Sequence, residues 1–281
     1  MLHLALSQAE YGHAILQDIG LICLVAVVLA GVLHAFLRRS AAELQWSQVG
    51  NVSIAGFVPA DIVACLFVTL PFSATLLVPY AEPSGKMTPL TLALSFSILL
   101  MMAGVVLFIF KQRDMLPEAL GLRPKHPAQV FSWAVGFYVL FILVLMGLNG
   151  IGLEAWLSER LGEQQNQAVV NEMVNAVDFR KKLILIIGAC VVAPIAEEIV
   201  FRGYLYPVVK RFTEPVVAAL FTGIIFGAIH GNIWAMIPLS IFGVLLAALY
   251  EKSGSIWACI LCHAMFNGIN TVFMLTKVGE F

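Results

Sequence analysis

Charge is what this chain has least of. Asp, Glu, Lys and Arg make up 12% of its 281 residues, about half the share of an ordinary soluble domain. Apolar residues make up 60% and the mean hydropathy is +0.93, so a water-soluble globule is excluded. A net charge of −1 with no basic stripe excludes a nucleic-acid partner. Five cysteines (Cys23, Cys65, Cys190, Cys259 and Cys262) lie in apolar runs. Their odd number and lack of framework spacing exclude a disulfide scaffold. No internal repeat is visible, which argues against the repeat-built transporter folds. Several catalytic signatures are also missing. There is no His-Glu-x-x-His zinc helix and no Gly-x-Ser nucleophile elbow. Gly150-Ile-Gly152 is followed by Leu153 and not by the Asp of intramembrane aspartyl proteases. Cys259-x-x-Cys262-His263 matches a haem-attachment spacing, but it falls inside an apolar span where haem loading has no access.

What is present in abundance is hydrophobic sequence of span length. A bilayer-crossing helix needs about 20 mostly apolar residues. About eight segments qualify: 15–37, 55–80, 89–110, 128–150, 183–201, 213–230, 233–250 and 255–276. The fold class is therefore all-α, a polytopic integral membrane protein with about eight transmembrane helices. No Lys or Arg precedes Arg38, so the first segment reads as a retained span and not a cleaved signal. Placing loops 1, 3, 5 and 7 in the cytoplasm gives them ten basic residues, Arg202 among them, against six on the other side. This predicts both termini outside. Residues 1–127 carry few intramembrane polar groups, Asp61 excepted. Residues 128–281 carry the diagnostic ones and form the expected functional core. Glu163 to Val177 has the pattern of an amphipathic helix lying on the membrane surface, and 120–124, Leu-Gly-Leu-Arg-Pro, reads as an interfacial turn.

Three polar constellations stand out in the second half. Glu197 and Glu198 end a strongly apolar run, with Arg202 just beyond them. A carboxylate near hydrocarbon costs roughly 2.5–3.5 kcal/mol, so the pair needs a partner, a water cavity or a task. Glu198 and Arg202 are four apart and share a helix face. Glu197 points about 140° away from Arg202 and is left for a cavity. Pro194, just upstream, removes a backbone hydrogen bond and predicts a kink. The second constellation is Phe226-x-x-x-His230, which puts an imidazole beside an aromatic ring on one face. The third is His263-x-x-x-Asn267, with Asn270 within about 40° of the same stripe. Each has an ordinary reading too: Glu and Arg at a headgroup-level helix end, a snorkelling histidine, and interhelical hydrogen bonds. Together they concentrate the intramembrane acids, histidines and amides in the last four spans.

Two chemistries suit two Glu, two His and an Asn. One is water activated by Glu197 and His230, with His263 and Asn267 donating to the oxyanion of a tetrahedral intermediate. The other is a zinc site with Glu197, His230 and His263 as ligands. In this order on successive helices, Glu197-Glu198-Ile-Val-Phe-Arg202, Phe226-Gly-Ala-Ile-His230 and His263-Ala-Met-Phe-Asn267 resemble the CAAX-protease and bacteriocin-processing family of intramembrane peptidases. The abortive-infection proteins are grouped with it. The likeness covers roughly residues 130–275. It implies an intramembrane endopeptidase of the bacterial plasma membrane whose cavity opens toward the cytoplasm. Its catalytic residues would be Glu197, Glu198, Arg202, His230, His263 and Asn267, its partners the lipid bilayer and a membrane-associated protein or peptide substrate. The resemblance implies no required cofactor on a glutamate mechanism, with zinc as the variant. The competing reading is a non-catalytic membrane partner or bacteriocin-immunity protein on the same scaffold. One point of the span count is awkward. If 213–230 starts at the cytoplasm and 183–201 ends there, His230 and Glu197 lie at opposite faces.

Overall fold

The computed structural model describes residues 50–77, 89–124, 126–161, 173 and 178–277, and among these the secondary structure is entirely helical. The first candidate span, 15–37, and nearly all of the expected surface helix at 163–177 lie outside the described residues. The helices are α1 (Ala60–Leu77), α2 (Pro89–Gln112), α3 (Leu116–Leu120), α4 (Pro127–Gly150) and α5 (Leu153–Leu161). A 34-residue helix, α6 (Phe179–Phe212), comes next. The chain ends with α7 (Pro215–Ala228), α8 (Ile233–Ser253) and α9 (Ile256–Lys277). Five of these are long and apolar enough to cross a membrane: α2, α4, α6, α8 and α9. The apolar stretch Ala60–Thr69 of α1 and the helix α7 are shorter. The count of about eight thus resolves, among the described residues, into five of full length and two shorter ones. Large side chains on the outer faces, such as Phe108, Met146, Val216 and Phe273, are exposed. That arrangement is tolerable only against lipid tails.

α6 removes the awkwardness of the span count. The segment expected to end near 201 continues to Phe212, so it is a helix where a loop was expected. Glu197 lies fifteen residues before the end of α6, and His230 fifteen after the start of α7. At about 1.5 Å per residue both sit about 22 Å from the same turn. The antiparallel register is visible midway, where the Phe201 and Phe226 rings meet edge to face at 5.3 Å. Arg202, counted above with the cytoplasmic loop charges, is buried in the bundle. Without it and Lys210, which is also buried, the basic residues stand eight against six.

α6 is also not a uniform α-helix. Gly188–Val192 and Ile199–Leu205 are π-helical, with α-helical Ala193–Glu198 between them. Each π stretch changes the angular register of the residues C-terminal to it, and such bulges gather at functional sites. Pro194 sits just after the first one, so its missing N–H falls where the backbone ladder is already interrupted by a bulge. Asp61, the lone intramembrane acid of the first half, is fully buried and satisfied. It accepts from the Val58 N–H (2.7 Å), Arg113 Nη1 (2.8 Å) and Tyr204 Oη (2.7 Å). It therefore ties α1 and the end of α2 to the second π stretch of α6. Beyond Tyr204, Lys210 pairs with Glu251, which also accepts from Tyr206 Oη at 2.8 Å, fastening α6 to the end of α8.

α7 and α8 form the closest helix pair, because small residues let their backbones touch. A Cβ on Gly223 would lie 2.7 Å from the Val244 nitrogen, and one on Gly227 2.4 Å from the Met236 carbonyl oxygen. Gly223-x-x-x-Gly227 is thus a small-xxx-small seam of the kind that packs membrane helices. Backbone atoms cannot yield as side chains do. Gly223→Leu is therefore expected to push α7 off α8 and lower the melting temperature in detergent, while Ile224→Leu, on the exposed face, leaves it unchanged. Differential scanning fluorimetry of the two variants checks this.

Candidate active site

The six predicted residues lie on three elements that the fold brings side by side: α6, the end of α7, and α9. Glu198 is fully buried, and its Oε1 accepts two hydrogen bonds. One comes from Arg202 Nη1 at 2.8 Å and one from His263 Nδ1 at 2.8 Å. A carboxylate only accepts, so Nδ1 of His263 carries the hydrogen. The second nitrogen of that ring, Nε2, points toward Glu197 and lies 3.9 Å from its Oε2. The adjacent glutamates therefore have different settings. Glu198 is committed to a guanidinium and an imidazole. Glu197 retains slight side-chain exposure and makes no ion pair as short; the Oε2 atoms of both glutamates are buried without a hydrogen-bond partner.

Arg202 is anchored twice more. Its Nη2 donates to the Gly243 carbonyl at 3.0 Å, and its guanidinium lies 4.6 Å from the centre of the Phe226 ring. A buried arginine without its pairing would be prohibitive, and a cation over an aromatic face adds about 2 kcal/mol when desolvated. Gly243 was not foreseen from the sequence. Its carbonyl is reachable because the α7–α8 seam is so tight: a Cβ there would meet the Gly223 Cα at 2.7 Å.

Phe226 joins the second constellation to the other two. His230 packs edge-on to its ring at 5.0 Å between centroids, and His263 does the same at 5.6 Å. His263 has a second aromatic wall in Phe242, also at 5.6 Å. The His230 ring is oriented by its own helix end. α7 finishes at Ala228, and the His230 N–H bonds back to the Gly227 carbonyl. The last turn leaves carbonyls without α-helical partners. His230 Nδ1 takes one, donating to the Phe226 oxygen at 2.7 Å. In the neutral ring this leaves the Nε2 lone pair for an incoming proton.

Asn267 is one helical turn beyond His263 on α9, and its Nδ2 donates to the Ala189 carbonyl at 2.7 Å. It faces the first π stretch of α6, and one of its two amide hydrogens is engaged there. Cys259 and Cys262 are buried and free in the core, so the haem-like spacing is a packing feature. Among the described residues no group of three or more His, Cys, Asp and Glu side chains is arranged to hold a metal ion. His263 Nδ1 is spent on Glu198 Oε1, which leaves Nε2 of that ring on the Glu197 side.

A buried Glu, His and Arg cluster inside a bundle of lipid-facing helices defines a multi-pass integral membrane protein with an internal polar site. Residues 179–269, which contain all six candidate site residues, match the family model described as Type II CAAX prenyl endopeptidase Rce1-like. The likeness to that family rests on this stretch of the chain. It is similar to the putative membrane peptidase YdiL of Bacillus subtilis (strain 168), at 26% identity over 188 residues, 66% of this chain and 74% of that one. It is also similar to the membrane-embedded CAAX protease MroQ of Staphylococcus aureus (strain USA300), at 24% identity over 223 residues, 76% of this chain and 87% of that one. Both relatives are bacterial proteins with membrane-peptidase names, in keeping with a multi-pass protein of the bacterial plasma membrane. No solved structure matches the chain significantly.

Proposed function

We propose that the protein is an intramembrane endopeptidase that hydrolyses a peptide bond with water activated by Glu197 and His230. The observation that carries this reading is the unequal pair of glutamates. Glu198 is neutralised through its Oε1 by Arg202 and His263, while Glu197 stands beside it with no ion pair as short and with partial access. A base must be close to its proton donor and not already committed to an ion pair.

In this mechanism Glu197 takes the proton of a water as that water attacks the scissile carbonyl. His230, with Nε2 as its accepting nitrogen, holds the same water from the α7 side. The developing oxyanion faces His263 and Asn267. With Nδ1 of His263 on Glu198, donation to the oxyanion requires a second hydrogen on Nε2. Asn267 contributes its second amide hydrogen. The proton on Glu197 then passes to the leaving amine, so the site returns to its starting state. Donors of this kind, fixed before the reaction and shielded from water, each supply about 2.7–4 kcal/mol of transition-state stabilisation. The substrate is a membrane-associated protein or peptide that reaches the cavity from the bilayer. The zinc variant has Glu197, His230 and His263 as its ligands.

The test is hydrolysis by the purified protein in proteoliposomes, offered a library of hydrophobic peptides in ¹⁸O-water, with cleavage read by mass spectrometry. The expected result is new C-termini carrying ¹⁸O, with a His230→Ala variant slowed by roughly 10²-fold. Cleavage that stops with a chelator, in protein containing stoichiometric zinc by elemental analysis, moves the mechanism to the metal. Cleavage unaffected by His230→Ala overturns the role of that residue. If the wild type cleaves none of the library and phenotypes in cells survive His230→Ala, the non-catalytic reading replaces this one.

A further inference from the structure

The orientation of Glu197 depends on how α6 passes through its first π stretch, and that stretch contains a backbone carbonyl that its own helix cannot satisfy. The Ala193 N–H bonds five residues back, to the Gly188 oxygen. The Ala189 carbonyl would next look to residue 193 or 194. Residue 193 is already used, and residue 194 is a proline without an N–H. The side chain of Asn267 fills the gap, with Nδ2 donating to the Ala189 oxygen at 2.7 Å. One turn along α9, Thr271 Oγ1 meets Cys190 Sγ at 3.6 Å, so two successive turns of α9 are registered on the bulge. Gly188 completes the local fit, because a Cβ there would lie 2.0 Å from the Phe96 ring. An unpaired backbone carbonyl at membrane depth is costly. The wide turn is therefore held open from outside α6, by α9.

We infer that Asn267 is a positioning residue: through the Ala189 carbonyl it compensates for Pro194, maintains the π stretch, and so aims Glu197 at the site. This role uses one amide hydrogen and is separate from any contact of the other with substrate. Its consequence for Glu197 comes from helix geometry. A π stretch inserts an extra residue into the turn, so closing it rotates everything downstream by about 100°. Glu197 lies five residues after Val192, the last residue of that stretch, and would swing off the His263 side with Glu198 and Arg202.

The coupling to Pro194 makes the inference testable. In Pro194→Ala a backbone N–H is restored at position 194, and the Ala189 carbonyl no longer depends on Asn267. Asn267→Ala should then cost less in that background than in the natural one, in both melting temperature and kcat. We expect the drop in kcat caused by Asn267→Ala to be about ten-fold smaller in the Pro194→Ala background than in the natural one, with KM changing little in either. Equal losses in the two backgrounds would overturn the inference and leave Asn267 with a direct role only. The kcat comparison rests on the peptidase reading, whereas the melting comparison does not. A protein that cleaves nothing but still shows coupled melting temperatures would defeat the proposed function and uphold the pairing. If Pro194→Ala does not accumulate in the membrane, Asn267→Leu serves. It keeps the size and removes the donor, and an unchanged melting temperature in that variant would refute the pairing.

Discussion

Glu197→Gln lowers the rate of peptide hydrolysis by roughly 10³–10⁴-fold, the upper part of what a general base contributes, and leaves the fold intact. Both halves of this expectation come from the same asymmetry. The substitution conserves shape and removes only the capacity to take a proton. Glu197 makes no ion pair as short as that of Glu198; its nearest cationic candidate is His263 Nε2 at 3.9 Å. Removing its charge also relieves repulsion with the adjacent Glu198. The melting temperature should accordingly stay where it is or rise slightly. The check is a paired measurement on one preparation, with initial rates in proteoliposomes and scanning fluorimetry in detergent. Full activity in Glu197→Gln would end the glutamate-base mechanism. Lost activity with a lost melting transition would show only that the variant does not fold.

The sequence conveyed the membrane class and the composition of the site well, and the path of the backbone poorly. Spans were legible because 20-residue apolar runs are a composition signal and need no tertiary information. The Glu198–Arg202 pair was legible because four-residue spacing survives from sequence to helix face, and the structure has it at 2.8 Å. The long helix α6 was not. Arg202 and Lys210 made residues past 201 look like a cytoplasmic loop, yet Glu198, Gly243 and Phe226 hold the first and Glu251 the second. Charge reads as exposure only when the partner is unknown, and, Glu198 apart, those partners lie 41 residues away in the chain or, for Phe226, on the next helix. The π stretches left only an indirect mark, Pro194 shortly after Gly188 in an apolar run, which suggested a kink. The link from Asn267 to Ala189 spans 78 residues and ends on a backbone atom. No side-chain pattern announces an acceptor of that kind.

Arg202→Ala should do more damage to the fold than any other single change at the site. It strips Glu198, a fully buried carboxylate, of its guanidinium partner and leaves only the His263 bond. It also frees the Gly243 carbonyl and empties the face of Phe226. Breaking a buried ion pair from one side costs about 3–5 kcal/mol, because the remaining charge is left without compensation. That is a large part of a membrane protein's margin, so the expected outcome is low yield and early unfolding. The informative variant is the double replacement Glu198→Gln with Arg202→Met. It keeps the volume and removes both charges, and replacing both partners of a buried pair is often nearly neutral. Stability should return toward the natural level. Activity should not, because a Gln at 198 presents a neutral group to His263 Nδ1 and no longer supports the charged ring on the oxyanion side. Melting temperatures and hydrolysis rates of the single and double variants measure the two effects separately. If the double variant recovers the rate along with the fold, Glu198 and Arg202 are structural alone. If it recovers the fold and not the rate, the glutamate next to the base is the group that holds His263 ready.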